Sequence, residues 1–161
     1  MRFLRPIMGS GGRQEERRLD CGIEFEVIWG DHDLVEFSIR CSNGRFSGQA
    51  KVYLSHDDLS KTAEGLTGFP AHARDARDFD LGWSNSNLSG VHLHFHCLDS
   101  VGHAALEVKL RSDNREGSRK AESVELHVPI EAAAVDSFVT QVNAMDKEQI
   151  GATACLRMAG Q

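Results

Sequence analysis

No apolar run in the 161 residues approaches the roughly 18–20 that a membrane-spanning helix needs, so no helix of this chain is expected to cross a bilayer. The segment ahead of Met8 is interrupted by Arg2, Arg5 and Pro6 and too short for the apolar core of a secretory signal, which points to the cytoplasm. No C-x-x-C pair occurs among Cys21, Cys41, Cys97 and Cys155, and this excludes the common zinc-ribbon and thioredoxin signatures. Cys41 and Cys97 fall on the apolar phase of strand patterns, the setting of buried free thiols and of a reducing compartment. The G-x-S-x-G nucleophile elbow, the H-E-x-x-H zinc helix and the phosphate-binding G-x-G-x-x-G are missing too. Gly9-Ser10-Gly11-Gly12 has no strand ahead of it and reads as linker. With no catalytic motif in evidence, the chain reads as non-enzymatic.

Excess basic charge is also lacking. The chain is −6 at neutral pH; residues 1–20 are net +2, which leaves the rest at −8. Phosphate contacts dominate nucleic-acid affinity and need a cationic face, so nucleic acid is not expected as the partner.

What is present is an ordinary globular composition, 40% hydrophobic and 26% charged. Residues 1–20 read as a flexible leader, within which Met8 is an alternative start, and 21–161 as one domain. From Ile23 the pattern alternates with a period of two. Ile23, Phe25, Val27 and Trp29 share one face, and Val35, Phe37, Ile39 and Cys41 another such run, the mark of strands buried on one side. Asn43-Gly44 suits a two-residue hairpin turn and predicts Cys41 opposite Phe46, Ile39 opposite Gly48 and Phe37 opposite Ala50. Ser55 is the expected cap of a helix with the apolar stripe Leu59, Ala63 and Leu66, ended by Gly68-Phe69-Pro70. Phe79, Leu81 and Trp83 mark a short strand, and Trp29 and Trp83 fall on the inward phase.

The clearest hairpin follows. Val91, Leu93, Phe95 and Cys97 alternate with His92, His94 and His96, and the return strand alternates Ala104, Leu106, Val108 and Leu110. Closing on Ser100-Val101 sets His94 opposite Glu107 and His96 opposite Ala105. Val124, Leu126 and Val128 form a further strand, ended by Pro129, and a helix over 131–145 buries Val135, Phe138, Val139 and Val142. Residues 150–158 read as a last edge strand. The sum is an α+β domain, an antiparallel meander of about seven strands with two helices packed on one face and a wet second face.

The stretches Leu66-Thr67-Gly68-Phe69-Pro70, Val91-His92-Leu93-His94-Phe95-His96-Cys97, Gly102-His103-Ala104 and Val128-Pro129-Ile130-Glu131-Ala132-Ala133-Ala134-Val135 are similar to those of a small bacterial family of unknown function. The resemblance covers about residues 23–145. It implies a compact domain and brings no activity with it.

One constellation has a chemistry to weigh. On a strand, residues two apart point the same way about 6.6–6.8 Å apart. Two imidazoles of His92-x-His94-x-His96 can therefore converge on one zinc, whereas the outer pair is too far apart for all three to do so. The expected ligand set is His94, His96 and Glu107, with His92 and His127 as alternates. The other reading is that a wet strand face needs polar residues and histidine is one; such a face serves a protein partner or a homo-oligomer, and histidine would make that contact pH-sensitive. His56-Asp57-Asp58 resembles a base with paired acids, but a helix N-terminus accounts for those acids. His103, next to Gly102 in a hairpin turn, is expected to bond the local backbone.

Overall fold

The computed structural model describes residues 22–82, 89–113 and 121–160. The leader expected at 1–20, and Trp83, lie outside the described residues.

In chain order the elements are β1 (Ile23–Gly30), β2 (Leu34–Ser42), β3 (Ser47–Ser55), α1 (Asp58–Leu66), β4 (Ala76–Leu81), β5 (Gly90–Cys97), β6 (His103–Ser112), β7 (Glu122–Glu131), α2 (Ala132–Ala144) and β8 (Thr153–Leu156). The fold is α+β with antiparallel pairing, and its strands form two four-stranded sheets, β3-β2-β1-β8 and β4-β5-β6-β7, where one meander was expected. The reason is area: helices of 9 and 13 residues cannot cover the apolar faces of eight strands. The two sheets instead share one buried core, to which Phe25, Phe37 and Ile39 contribute from the first and Leu93, Phe95 and Leu106 from the second. Their approach is close. A Cβ placed on Gly48 of β3 would come 2.4 Å from Cγ1 of Val124 on β7. The helices add to the same core, with Phe138 of α2 5.8 Å from Phe25 and Phe69, just past α1, 5.8 Å from Phe95.

Local chemistry explains where the register departs from the expected one. Cys41 pairs with Gly48, Ile39 with Ala50 and Phe37 with Val52, so Cys41 does not face Phe46. Asn43 widens the turn: its Oδ1 accepts the amides of Arg45 (3.1 Å) and Phe46 (2.9 Å), while its own amide bonds the Phe46 carbonyl. A shift of two residues keeps every side chain on its face, and only Phe46 changes fate, to 65% exposed. Trp29 is likewise outside the core. A bulge after Val27 pairs Trp29 with Glu36, turning the indole outward against Tyr53 at 6.0 Å.

Helix α1 starts at Asp58 behind Asp57 rather than behind Ser55, whose amide instead donates to Asp58 Oδ2. Its buried stripe is Leu59, Thr62, Ala63 and Leu66. Pro129 does not stop β7, which continues to Glu131; β7 is a sheet edge, where a missing amide costs no ladder bond. The last strand is shorter than expected, Thr153–Leu156, and lies beside β1 with Leu156 opposite Ile23. Cys41 is a buried and Cys97 a half-buried free thiol, whereas Cys155 is disulfide-bonded. That bond weakens the argument for a reducing compartment, which assumed free thiols.

Candidate functional site on the outer face of the second sheet

Alternation sends Leu93, Phe95, Leu106, Val108, Leu126 and Val128 inward, so the residues between them make up the outer face. The pairing of β4 with β5 adds two carboxylates to it, because Phe79 and Leu81 turn inward and Asp78 and Asp80 turn out. Two rows then cross all four strands. One reads Asp78, His94, Glu107, His127; the next reads Asp80, His92, Lys109, Glu125. His94 opposite Glu107, and Glu107 opposite His127, are as the sequence predicts. His96 sits in a third row, opposite Ala76 and Ala105.

The side chains use these positions in distinct ways. His94 Nδ1 bonds Asp78 Oδ1 at 2.8 Å. His92 Nδ1 bonds Asp80 Oδ1 at 2.6 Å, and its Nε2 lies 3.4 Å from Asp78 Oδ1. His96 Nδ1 donates to the Cys97 carbonyl at 3.3 Å, while its Nε2 faces Glu107 Oε1 at 3.2 Å. The same Glu107 oxygen lies 3.6 Å from His127 Nδ1. The rings of His94 and His96 stack with centroids 5.1 Å apart. A surface depression of about 260 Å³ opens between the rows, lined by Asp78, His92, His94, Glu107, Lys109 and Glu125 among others.

A neutral imidazole has one N–H donor and one lone pair. His92 and His96 each present both ring nitrogens to oxygen atoms, of which one can be met by the single N–H of a neutral ring. Of the expected metal set, the structure brings His96 to Glu107 directly and lays His94 against His96; His127 adjoins Glu107, and His92 turns away to Asp80 and Asp78. The third distances are more open. Among the described residues, three ligand atoms lie mutually within 4.8 Å only at Asp31, His32 and Asp33, in the exposed β1–β2 turn. There Asp31 Oδ1 already accepts the amides of Asp33 and Leu34, which hold its carboxyl below the ordinary range.

The remaining candidates are structural. His56 Nε2 bonds the Asp31 carbonyl at 2.7 Å, and Asp58 accepts the Ser55 amide, so the trio at residues 56–58 does not converge. His103 bonds the Asp99 carboxylate rather than backbone, through Nδ1. That bond raises the His103 pKa and lowers that of Asp99.

Sequence reasoning missed Asp78 and Asp80. Their outward phase was readable from Phe79 and Leu81, but nothing in the sequence paired β4 with β5. No protein-family model matches the chain, nor does any curated protein or solved structure, so the resemblance noted above gains no support.

Proposed function

We propose that this protein is a non-enzymatic binding module, adaptor- or immunity-like in kind, that captures a lysine- or arginine-bearing protein partner on the outer face of β4–β7. The carrying observation is the charge of that face: Asp78, Asp80 and Glu107 are paired with imidazoles rather than with cations, and Glu125 stands opposite Lys109 on the same face. Asp78 and Asp80 remain 57% and 62% exposed, available to a partner. Like charge disfavours nucleic acid on this surface and equally disfavours a second copy of the same face, which turns the choice from homo-oligomer to a foreign, basic partner. Cytoplasmic residence is the part of this reading that the disulfide at Cys155 opposes.

The test is an amide-shift titration of the full chain with a Lys/Arg-rich peptide and with a glutamine-substituted peptide of equal length. The expected outcome is perturbation centred on β4–β7 for the basic peptide alone, weakened by salt and lost in Asp78→Asn/Glu125→Gln. Equal response to both peptides, or a footprint elsewhere, refutes the reading.

A further inference from the structure

We infer that the outer face of β5–β6 holds one zinc-class divalent cation, ligated by His94 Nε2, His96 Nε2 and a carboxylate oxygen of Glu107. The inference deepens the functional reading above and rests on it, since the same acidic surface is what attracts a cation.

The first support is the orientation of the rings. Metal-bound histidines almost always donate their other N–H to a carboxylate or a carbonyl, which fixes the tautomer. Here Nδ1 of His94 lies 2.8 Å from Asp78 and Nδ1 of His96 3.3 Å from the Cys97 carbonyl, so the tautomer with both protons on Nδ1 turns both Nε2 lone pairs outward for a metal. The second support is an opposition. In that tautomer His96 Nε2 and Glu107 Oε1, 3.2 Å apart, are two acceptors that a shared cation reconciles. Ligands bound tetrahedrally to zinc at about 2.0–2.2 Å stand about 3.3–3.6 Å apart, so this pair is already spaced as one edge of such a site.

The third support is topological. His94 and His96 leave the same face of β5 with ring centroids 5.1 Å apart, which sets the His94 ring beside the His96–Glu107 pair. His127 Nδ1 lies 3.6 Å from the same Glu107 Oε1, within reach as a further ligand. Lys109 lies opposite His92 and Glu125, in the neighbouring row. Two imidazoles and one carboxylate select zinc, cobalt or nickel over magnesium and calcium, which prefer all-oxygen sites.

The experiment is calorimetric titration of zinc into the full chain purified without a histidine tag, with cobalt(II) absorption as a second readout. We expect one zinc per chain at micromolar affinity or tighter and a tetrahedral cobalt spectrum. His94→Ala, His96→Gln and Glu107→Gln each abolish both signals, while His32→Ala, His92→Ala and His103→Ala leave them intact. Asp78→Asn, a positioning change, weakens zinc by about 10–100-fold without altering the cobalt spectrum. Circular dichroism of each variant separates loss of the site from loss of the fold. Flat titrations of the wild-type chain, or binding that survives His96→Gln and Glu107→Gln but disappears in Asp31→Asn, overturn the inference. The basic-peptide titration run without metal keeps the two readings apart: peptide binding with no zinc binding defeats the metal site alone, and zinc binding with no peptide response defeats the partner alone.

Discussion

Asp75 and Arg77, two residues apart in sequence, meet in a two-point clasp, with Arg77 Nε 3.2 Å from Asp75 Oδ1 and Nη2 2.7 Å from Oδ2. The remaining donor faces backward along the chain. Nη1 bonds the carbonyls of Gly65 and Thr67 at 2.8 and 3.0 Å, and the guanidinium lies 5.4 Å from the Phe69 ring. One side chain thus serves the carbonyls at the end of α1 and ties the helix to the start of β4. Lysine has the charge but not the planar fork. Arg77→Lys is expected to cost about 1–3 kcal/mol, the scale of hydrogen bonds to charged groups. In urea unfolding, the double variant with Asp75→Asn should lose less than the two single losses combined.

Acid should expose the same clasp. The hydrogen bond from Arg77, helped by the Ala71 amide, holds the Asp75 carboxyl below its ordinary range. Its stabilisation is therefore complete above about pH 3.9, the unfolded value, and is lost as pH falls through the lower folded one. Asp75→Asn should flatten stability against pH in that acid window. His103 runs the other way. The Asp99 bond raises its pKa, so its contribution is complete below about pH 6.5 and is lost as pH rises through the folded value. Asp99→Asn should lower the His103 titration midpoint seen by NMR.

Sheet-on-sheet packing can be tested at one glycine. A Cβ at position 48 meets Val124 Cγ1 at 2.4 Å and Leu110 Cδ1 at 3.3 Å. Gly48→Ala should cost about 1–3 kcal/mol by overpacking. Adding Val124→Ala should recover part of that loss, a coupling that a thermal-melt mutant cycle would reveal. A neutral Gly48→Ala would mean that β3 and β7 do not face each other.

Thiol reactivity should split by site. Burial pushes the Cys41 thiol up to about 12, so it stays protonated and inert in the folded chain. Cys97, half-buried with Sγ against the His72 carbonyl, should alkylate first. Mass mapping after a short iodoacetamide pulse should find Cys97 labelled, Cys41 labelled only after unfolding, and Cys155 only after reduction.

Much of the local structure was legible from alternation, because a side chain's face depends only on parity along its strand. That is why His94, Glu107 and His127 fell into one row as expected, and why a hairpin misjudged by two residues still put Cys41 and Ala50 inside. What alternation does not encode is which strands are neighbours. The break between β3 and β4, and hence the two sheets, follows from how much apolar area must be covered, a property of the whole chain. Trp29 failed for the opposite reason: a single extra residue reverses parity, and no residue type announced the bulge. At the site, both ligand-bearing strands were readable, while the aspartates that orient His92 and His94 came from a neighbour that only the fold supplies.

The pairing of Leu156 with Ile23 has a consequence for how the chain is made. The second sheet is assembled from strands contiguous in sequence, β4 through β7, each folding back on the one before. The first sheet is closed by β8, the last of the described elements in chain order. On a ribosome, the histidine-bearing sheet can therefore pair its strands while its sister still lacks an outer member, and β1, already paired with β2, must wait for its second neighbour more than a hundred residues downstream. The sheet that carries the histidine face can thus be complete before its sister, which gains its last strand only when β8 arrives.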